Sequence, residues 1–172
     1  KEAELAILES IKIKPNYAIA YDNLGSIFKD LGKSKESFDS YLKLIELDPT
    51  DSKCYNSLTI LLRDSDPSKF EKSKLRNILN LLLENNNLSH QDLFISFNFL
   101  YGNDLINTLN DIDQNSANID VLSNNKIVTN ALKKILFLDE KLEFILTRYR
   151  ASLSYRISEN SNNINHNELQ FI

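Results

Sequence analysis

Apolar side chains in the first half of the chain recur at three- and four-residue steps, in runs separated by glycine and proline. Two such runs lie between residues 18 and 47. The first run has Tyr21, Leu24, Gly25 and Phe28 on one face. The second run has Phe38, Tyr41, Leu44, Ile45 and Leu47. Because this spacing brings side chains to one face of a helix, the pattern predicts two amphipathic helices.

Glycine, serine and proline mark the ends of these two predicted helices. Gly32 follows the last apolar residue of the first helix and suits a C-cap in the left-handed conformation. Ser34 is the expected N-cap of the second helix, which Pro49 ends because the residue before proline disfavours helical geometry. Gly25 lies in the middle of the first helix, at a cost of about 1 kcal/mol relative to Ala. We expect a close approach of the two helices to compensate for that cost.

The helix pair is one copy of a sequence repeat, whose period is the separation of Pro15 and Pro49. Residues 1–14 align with the second helix of a preceding copy. The first-helix positions recur one period later as Tyr55, Leu58 and Leu62. The next helix is predicted to begin near Pro67 and to keep Leu75, Ile78 and Leu81 in frame. A period of about 34 residues is typical of stacked helix pairs, each of which needs neighbours to bury its apolar face.

This pattern resembles the tetratricopeptide repeat (TPR) family over residues 1 to about 84, as a half repeat, one full repeat and one degenerate repeat. The residues that carry the resemblance are Tyr21, Leu24, Gly25, Phe28, Gly32, Tyr41, Leu44, Leu47 and Pro49. The resemblance implies an all-α fold, a right-handed superhelical stack of helix pairs. It also implies a protein- or peptide-binding scaffold that acts through the concave face of the repeats.

In the TPR family the first helix of each repeat lines the concave face. By resemblance, the inward positions also include Ile19 and Ile60, and the candidate peptide-binding residues are Asp22, Asn23, Ser26, Lys29, Asn56 and Arg63. Asn23 occupies the position at which asparagine-ladder members of the family hold a peptide backbone, and an amide side chain offers both a donor and an acceptor. Asn56 departs from the ladder by one position. The alternative is that these are solvated polar positions without a ligand.

Residues 85–172 are predicted to form an irregular helical extension. The run Asn85–Asn87 breaks the preceding helix, and a capped helix follows from Ser89 until Gly102 stops it. Leu105, Ile106 and Leu109 indicate a short helix, and residues 113–125 a polar loop. Two further helices are predicted, one over residues 127–137 and a longer one after residue 139. No segment alternates convincingly with period two, so we expect an all-α protein.

The run NNKIVTNALKKILFLDEKLEFILTRYRASL, residues 124–153, is similar to a helical segment of bacterial TPR proteins that carry a methyltransferase domain. That resemblance implies an alternative function, the non-catalytic substrate-recruiting arm of a larger TPR-methyltransferase. A third hypothesis is a structural or oligomerisation segment. We interpret the chain as part of a longer protein, with an apolar edge over residues 3–13 that favours self-association.

Composition narrows the remaining classes of function. The net charge of −4 gives no reason to expect nucleic acid, and no apolar run approaches the roughly 20 residues that span a bilayer. Cys54 is the only cysteine, and His90 and His166 are far apart, so we expect neither a metal nor a cofactor. No glycine-rich phosphate loop or nucleophile motif occurs, which predicts that these residues are not an enzyme. A lone cysteine suits a reducing compartment, and we expect a cytoplasmic protein.

Overall fold

The computed structural model describes residues 2–110, 125–136, 140–144, 146–147 and 150–151, and these residues contain helices and turns but no strand. The all-α prediction is therefore confirmed. The helices are α1 (Glu2–Ile13), α2 (Ala18–Asp30), α3 (Ser34–Leu47), α4 (Ser52–Asp64), α5 (Lys72–Glu84), α6 (Phe94–Phe97), α7 (Asn103–Asn110) and α8 (Lys126–Lys134). In the described ranges, no helix has the length and apolar character that crossing a membrane requires.

The chain forms two compact units, Lys1–Leu75 and Arg76–Ile172. The division falls inside α5. The boundary predicted after residue 84 marks the end of the repeats in the sequence, which the division into compact units does not test, so it stays a prediction.

In the first unit, α2 and α3 pack closely at Gly25. A Cβ atom added to Gly25 would lie 2.6 Å from Cε1 of Tyr41, whose side chain is fully buried. Beside this contact, the Ser37 hydroxyl donates a buried hydrogen bond of 2.7 Å to the Gly25 carbonyl. The close approach expected from a glycine in the middle of the helix is therefore confirmed.

Gly32 ends α2 in the left-handed conformation, with φ of 70°, as predicted. The Lys33 N–H donates to the Phe28 carbonyl at 2.8 Å, and the Gly32 N–H donates to the Lys29 carbonyl at 3.0 Å. These two bonds form a Schellman motif, which satisfies carbonyls at the helix end. The N-cap prediction for Ser34 is wrong. Ser34 is already the first residue of α3, and its hydroxyl accepts a hydrogen bond from the hydroxyl of Ser65 instead.

The repeat period is visible in both the burial and the hydrogen bonds of the first unit. Buried pairs at this spacing on α2 and α4 include Ala20 and Cys54, Leu24 and Leu58, and Phe28 and Leu62. The Tyr21 hydroxyl donates to the Pro15 carbonyl at 3.0 Å, and the Tyr55 hydroxyl donates to the Pro49 carbonyl at the same distance. Two successive repeats therefore share one local geometry where the chain enters the first helix.

The close-packed positions change together from one repeat to the next. Counted forward by one period, Gly25 and Tyr41 correspond to Thr59 and Leu75. All four residues are buried. The first helix of the second repeat has a larger side chain at this position, Thr59 in place of glycine. The second helix has a shorter one, Leu75 in place of tyrosine. The second repeat therefore carries a different combination of side chains at the positions that pack closely in the first.

The helix that was predicted to begin near Pro67 begins instead at Lys72. Residues Pro67–Lys69 form a separate 3₁₀ turn, which the Asp66 carboxylate caps by accepting the Ser68 N–H at 2.9 Å. Phe70 then adopts an extended conformation and packs on Phe38, with ring centroids 4.6 Å apart. This contact takes the chain off the helical path and delays α5.

Within α5 the predicted apolar face is only partly correct. Leu75 and Ile78 are buried, whereas the Leu81 side chain is 45% exposed. Further buried positions are Leu79, which lies one period after the buried Ile45, and Leu82 and Leu83, which the repeat frame did not indicate. The helix ends at Glu84, so the predicted break at Asn85–Asn87 is confirmed.

Gly102 does not stop the helix that contains it. The helical path continues from a 3₁₀ turn at His90–Leu93 through α6, a π-helical turn at Asn98–Gly102 and α7. The Asn98 amide oxygen occupies the place where a Cβ of residue 102 would lie, so glycine makes room for a side chain of its own helix. The short helix predicted around Leu105 and Ile106 is confirmed as α7. Ser89 precedes the 3₁₀ turn but makes no capping bond with its side chain.

Helix α8 ends at Lys134 rather than at residue 137. Its N-cap is Asn125, whose side chain accepts hydrogen bonds from the N–H groups of Ile127 and Val128. Two reciprocal hydrogen bonds end the helix: the Gln91 amide donates to the Leu136 carbonyl and accepts from its N–H, both at 2.9 Å. The polar loop predicted over residues 113–125 lies outside the described residues, apart from Asn125. The predicted last helix is helical at residues 140–144, 146–147 and 150–151, and its other residues lie outside the described ranges.

Helix α1 contacts α2 but buries none of its own residues. Leu5 is 66% exposed and Leu8 is 37% exposed, so apolar surface faces solvent along this helix. One ion pair, from Lys33 to Glu4 at 3.2 Å, also joins α1 to the rest of the first unit.

Candidate peptide-binding surface

Helices α2 and α4 are the first helices of two successive repeats, and they contact each other in the first unit. Of the six predicted peptide-binding residues, four lie on α2 and two on α4. Asp22, Ser26 and Lys29 are half-buried, whereas Asn23, Asn56 and Arg63 are exposed. We call the surface formed by these residues the α2–α4 surface.

The two asparagines present their amides to solvent. Within the part of the chain that the structure describes, neither Asn23 nor Asn56 donates or accepts a side-chain hydrogen bond. Each amide therefore keeps its donors and its acceptor available for a ligand. An extended peptide offers the matching groups on its backbone, whatever its sequence.

Ser26 is held in place by the buried tyrosine beneath it. The Ser26 hydroxyl lies 3.3 Å from the Tyr41 hydroxyl, and either group can donate. Tyr41 was predicted only as a core residue of α3. Its hydroxyl links the core to the candidate surface, a role that the sequence did not signal because the two residues belong to different helices.

The charges on this surface are arranged unevenly. The Arg63 guanidinium is paired with the neighbouring Asp64 carboxylate, through Nε at 2.7 Å and Nη2 at 3.1 Å. That hydrogen bond lowers the pKa of Asp64, and the charge of Lys29 contributes in the same direction. Lys29 itself has no ion pair among the described residues. Its ammonium is therefore better placed than Arg63 to attract a carboxylate of a ligand.

Asp22 lies close enough to Cys54 to affect its thiol. Burial raises the pKa of Cys54 to about 12, and the charges of Asp51, Asp22 and Asp48 contribute further. The thiol is fully buried and makes a contact of 3.5 Å with the Tyr41 carbonyl. A thiol with this pKa stays protonated at neutral pH and is not a nucleophile.

Two isoleucines add apolar area to the same helices. Ile19 on α2 is 59% exposed, and Ile60 on α4 is 37% exposed. Both were predicted to lie on the inward face of the repeats. Exposed apolar side chains, free amides and one ammonium are groups that bind peptides by hydrogen bonding and burial. No group of three or more His, Cys, Asp or Glu side chains that could hold a metal occurs in the described ranges.

Residues 18–51 match the family model for the tetratricopeptide repeat. The match covers α2, α3 and the turn before α4, so a TPR repeat is present in the first unit. No curated protein and no solved structure matches the chain. The resemblance of residues 124–153 to methyltransferase-carrying proteins stays a prediction. TPR repeats generally mediate protein–protein interaction, which supports a binding scaffold in general terms.

Proposed function

We propose that this chain is a protein-binding scaffold and that the α2–α4 surface holds an extended peptide segment of its partner. The observation that carries the proposal is the pair of exposed amides, Asn23 and Asn56, which make no hydrogen bond within the described chain. Ile19 and Ile60 are exposed on the same two helices. The proposal assigns no catalytic step to these residues.

Each group on this surface has a separate role in the proposed complex. The amides of Asn23 and Asn56 bond to the peptide backbone, at about 0.5–1.5 kcal/mol for each hydrogen bond. Lys29 attracts a carboxylate, either an acidic side chain or the end of the peptide chain. Ile19 and Ile60 are covered by apolar side chains of the peptide, at about 25 cal/mol for each Å² removed from water. Binding of this kind selects an extended conformation more strongly than a particular sequence.

The test begins with peptides selected from a random library on the immobilised chain. A selected peptide is labelled, and its affinity is measured by fluorescence anisotropy for the wild type and for the double variant Asn23→Ala and Lys29→Ala. We expect at least a tenfold loss of affinity, which corresponds to about 1.4 kcal/mol. The matched control is Lys12→Ala with Asn16→Ala, an exposed lysine and asparagine outside the α2–α4 surface. Unchanged affinity in the Asn23 and Lys29 variant would show that the peptide binds elsewhere.

A second candidate function is self-association through α1. Counted back by one period, Ser37 and Tyr41 of α3 correspond to Ala3 and Ile7 of α1. On α3 these positions are fully buried, with Ser37 bonded to α2, whereas on α1 Ala3 is exposed and Ile7 is half-buried. Leu5 and Leu8 are exposed on other sides of the same helix. We infer that the uncovered apolar surface of α1 binds a second copy of the chain.

Sedimentation velocity over a range of protein concentrations tests self-association. We expect the wild type to form a dimer and the variant Leu5→Glu with Leu8→Glu to remain monomeric. The control is Leu31→Glu, which changes a side chain that is 53% exposed after the end of α2. This control should still dimerise. A wild-type chain that stays monomeric at hundreds of micromolar would exclude the second candidate.

A further inference from the structure

A cleft of about 390 Å³ opens in the first unit between α3 and the segment that leads into α5. None of its lining residues belongs to α2 or α4, so it is separate from the α2–α4 surface. The cleft is lined by Lys35, Phe38, Asp39, Lys69, Phe70, Glu71 and Lys74. Three of these side chains are cations and two are anions.

Two aromatic rings fix the walls of the cleft. Phe38 of α3 and Phe70 of the connecting segment are 1% and 4% exposed, and their ring centroids are 4.6 Å apart. Aromatic pairs at this distance add to the stability that burial supplies. The backbone that carries the charged residues on each wall is therefore held by the buried core, and the charged groups stand at the edge of a preformed cleft.

One of the three lysines is neutralised by the carboxylates of the cleft. Lys74 forms an ion pair with Asp39 at 2.7 Å and lies 3.9 Å from the Glu71 carboxylate. The hydrogen bond from Lys74 to Asp39 raises the pKa of Lys74. Glu71 also accepts a hydrogen bond from the Ser73 hydroxyl. Both carboxylates therefore already have partners.

The other two lysines form no ion pair at hydrogen-bond distance with a residue in the described ranges. Lys35 and Lys69 are exposed, and neither forms an ion pair with any residue that the structure describes. The hydrogen bond from the Ser68 N–H, at 2.9 Å, lowers the pKa of Asp66, and the charge of Lys69 contributes in the same direction, so Lys69 and Asp66 interact electrostatically without forming an ion pair. The cleft therefore carries net positive charge in a protein whose overall charge is −4.

We propose that this cleft binds an acidic segment of a partner protein, with the carboxylates of that segment placed between Lys35 and Lys69. Charge complementarity favours an anionic ligand, because Lys35 and Lys69 form no ion pair in the described chain and the lining residues, three cations and two anions, carry a net charge of +1. The volume of the cleft selects a peptide over a single ion. A space of 390 Å³ corresponds to about a dozen water molecules at roughly 30 Å³ each, more than one carboxylate or phosphate fills.

Binding at this cleft is expected to be weak and dependent on salt. Ion pairs with exposed lysines are individually weak and are screened at physiological ionic strength. Removal of both charges should therefore reduce affinity about three- to tenfold at low salt. The same partner can also bind elsewhere on this chain, for example at the α2–α4 surface. Binding at one site then raises the effective concentration of the partner at the other, so the two weak contacts reinforce each other.

The test is a titration of the full ¹⁵N-labelled chain with hexaglutamate at low salt, followed by NMR. We expect the largest shifts at residues 35–39 and 69–74. The variant Lys35→Gln with Lys69→Gln should lose three- to tenfold in affinity. The control Lys12→Gln with Lys14→Gln makes the same change in net charge on and after α1 and should bind as the wild type does.

Two results would overturn this assignment. One is a shift pattern spread over all exposed lysines, with equal losses in the two double variants. The other is saturation of the same residues by inorganic phosphate with no response to hexaglutamate, which would identify a site for a small anion. The shifts at residues 35–39 and 69–74 should persist in the variant Asn23→Ala with Lys29→Ala, whatever that variant does to shifts on α2 and α4, so a failure of the cleft is distinguishable from a failure of the α2–α4 surface.

Discussion

Replacement of Gly25 by alanine tests the packing of the helix pair α2 and α3. The added Cβ would lie 2.6, 2.8 and 2.9 Å from three ring carbons of Tyr41, whereas ordinary contacts are 3.4–4 Å. Tyr41 is fully buried, so its ring can move only if its neighbours in the core move as well. Overpacking of a core costs about 1–3 kcal/mol, and three contacts this short favour the upper half of that range.

The same substitution also stabilises α2 through helix propensity. Alanine in a helix interior is favoured over glycine by about 1 kcal/mol. The expected net effect of Gly25→Ala is therefore a loss of about 1–2 kcal/mol in the free energy of unfolding. In urea this loss corresponds to a midpoint lowered by about 0.3–2 M, since small proteins have slopes of about 1–3 kcal/mol/M. The assay is urea unfolding followed by far-UV circular dichroism.

Two further variants separate steric overlap from backbone effects. Gly32→Ala adds a Cβ that meets nothing within 4 Å, at a φ of 70°, and should cost about 1 kcal/mol through the left-handed conformation alone. Tyr41→Leu should relieve the overlap at Gly25 but leave Gly32→Ala unaffected. We expect a coupling of about 1 kcal/mol between Gly25→Ala and Tyr41→Leu. A Gly25→Ala chain at least as stable as the wild type would refute the packing argument.

Two further predictions concern Cys54 and Lys134. Burial raises the pKa of the Cys54 thiol from 9.0 to about 12. The stability that the protonated thiol contributes is therefore complete below pH 9 and is lost as the pH rises towards 12. In unfolding measurements over this pH range, Cys54→Ala should show a smaller decline in stability than the wild type. An equally steep decline in the variant would contradict this assignment. Lys134 Nζ donates to the Leu83 carbonyl at 2.6 Å and to the Asn86 side chain at 2.8 Å. Lys134→Met should therefore speed hydrogen exchange at the end of α5 and cost about 1 kcal/mol, whereas the exposed control Lys133→Met should change neither.

Local signals were sufficient to predict the helix pair α2 and α3. Gly32 and Pro49 mark the ends of the two helices through backbone geometry alone. The repeat period independently fixes which positions of each helix are apolar. The period also placed the candidate residues on α2 and α4. It did not indicate which of them are already engaged, because pairs such as Ser26 with Tyr41 depend on how the helices pack.

The predictions that the structure corrects failed because of long-range contacts or the positions of single side chains. The start of α5 was misplaced because Phe70 packs on Phe38, which lies two helices earlier in the chain. The stop at Gly102 was wrong because the Asn98 side chain uses the space that glycine leaves. The cleft was missed for a similar reason: its lysines belong to two segments whose proximity is set by that same aromatic contact.

The paired change at the packing positions limits how the repeats of this protein can be recombined. In one repeat a glycine leaves room for a tyrosine ring, and in the next a threonine and a leucine stand at the same two positions. A chimera that moved α4 into the place of α2 would set Thr59 against the Tyr41 ring. The exchangeable module is therefore the helix pair and not the single helix, and longer arrays built from this chain must duplicate whole pairs.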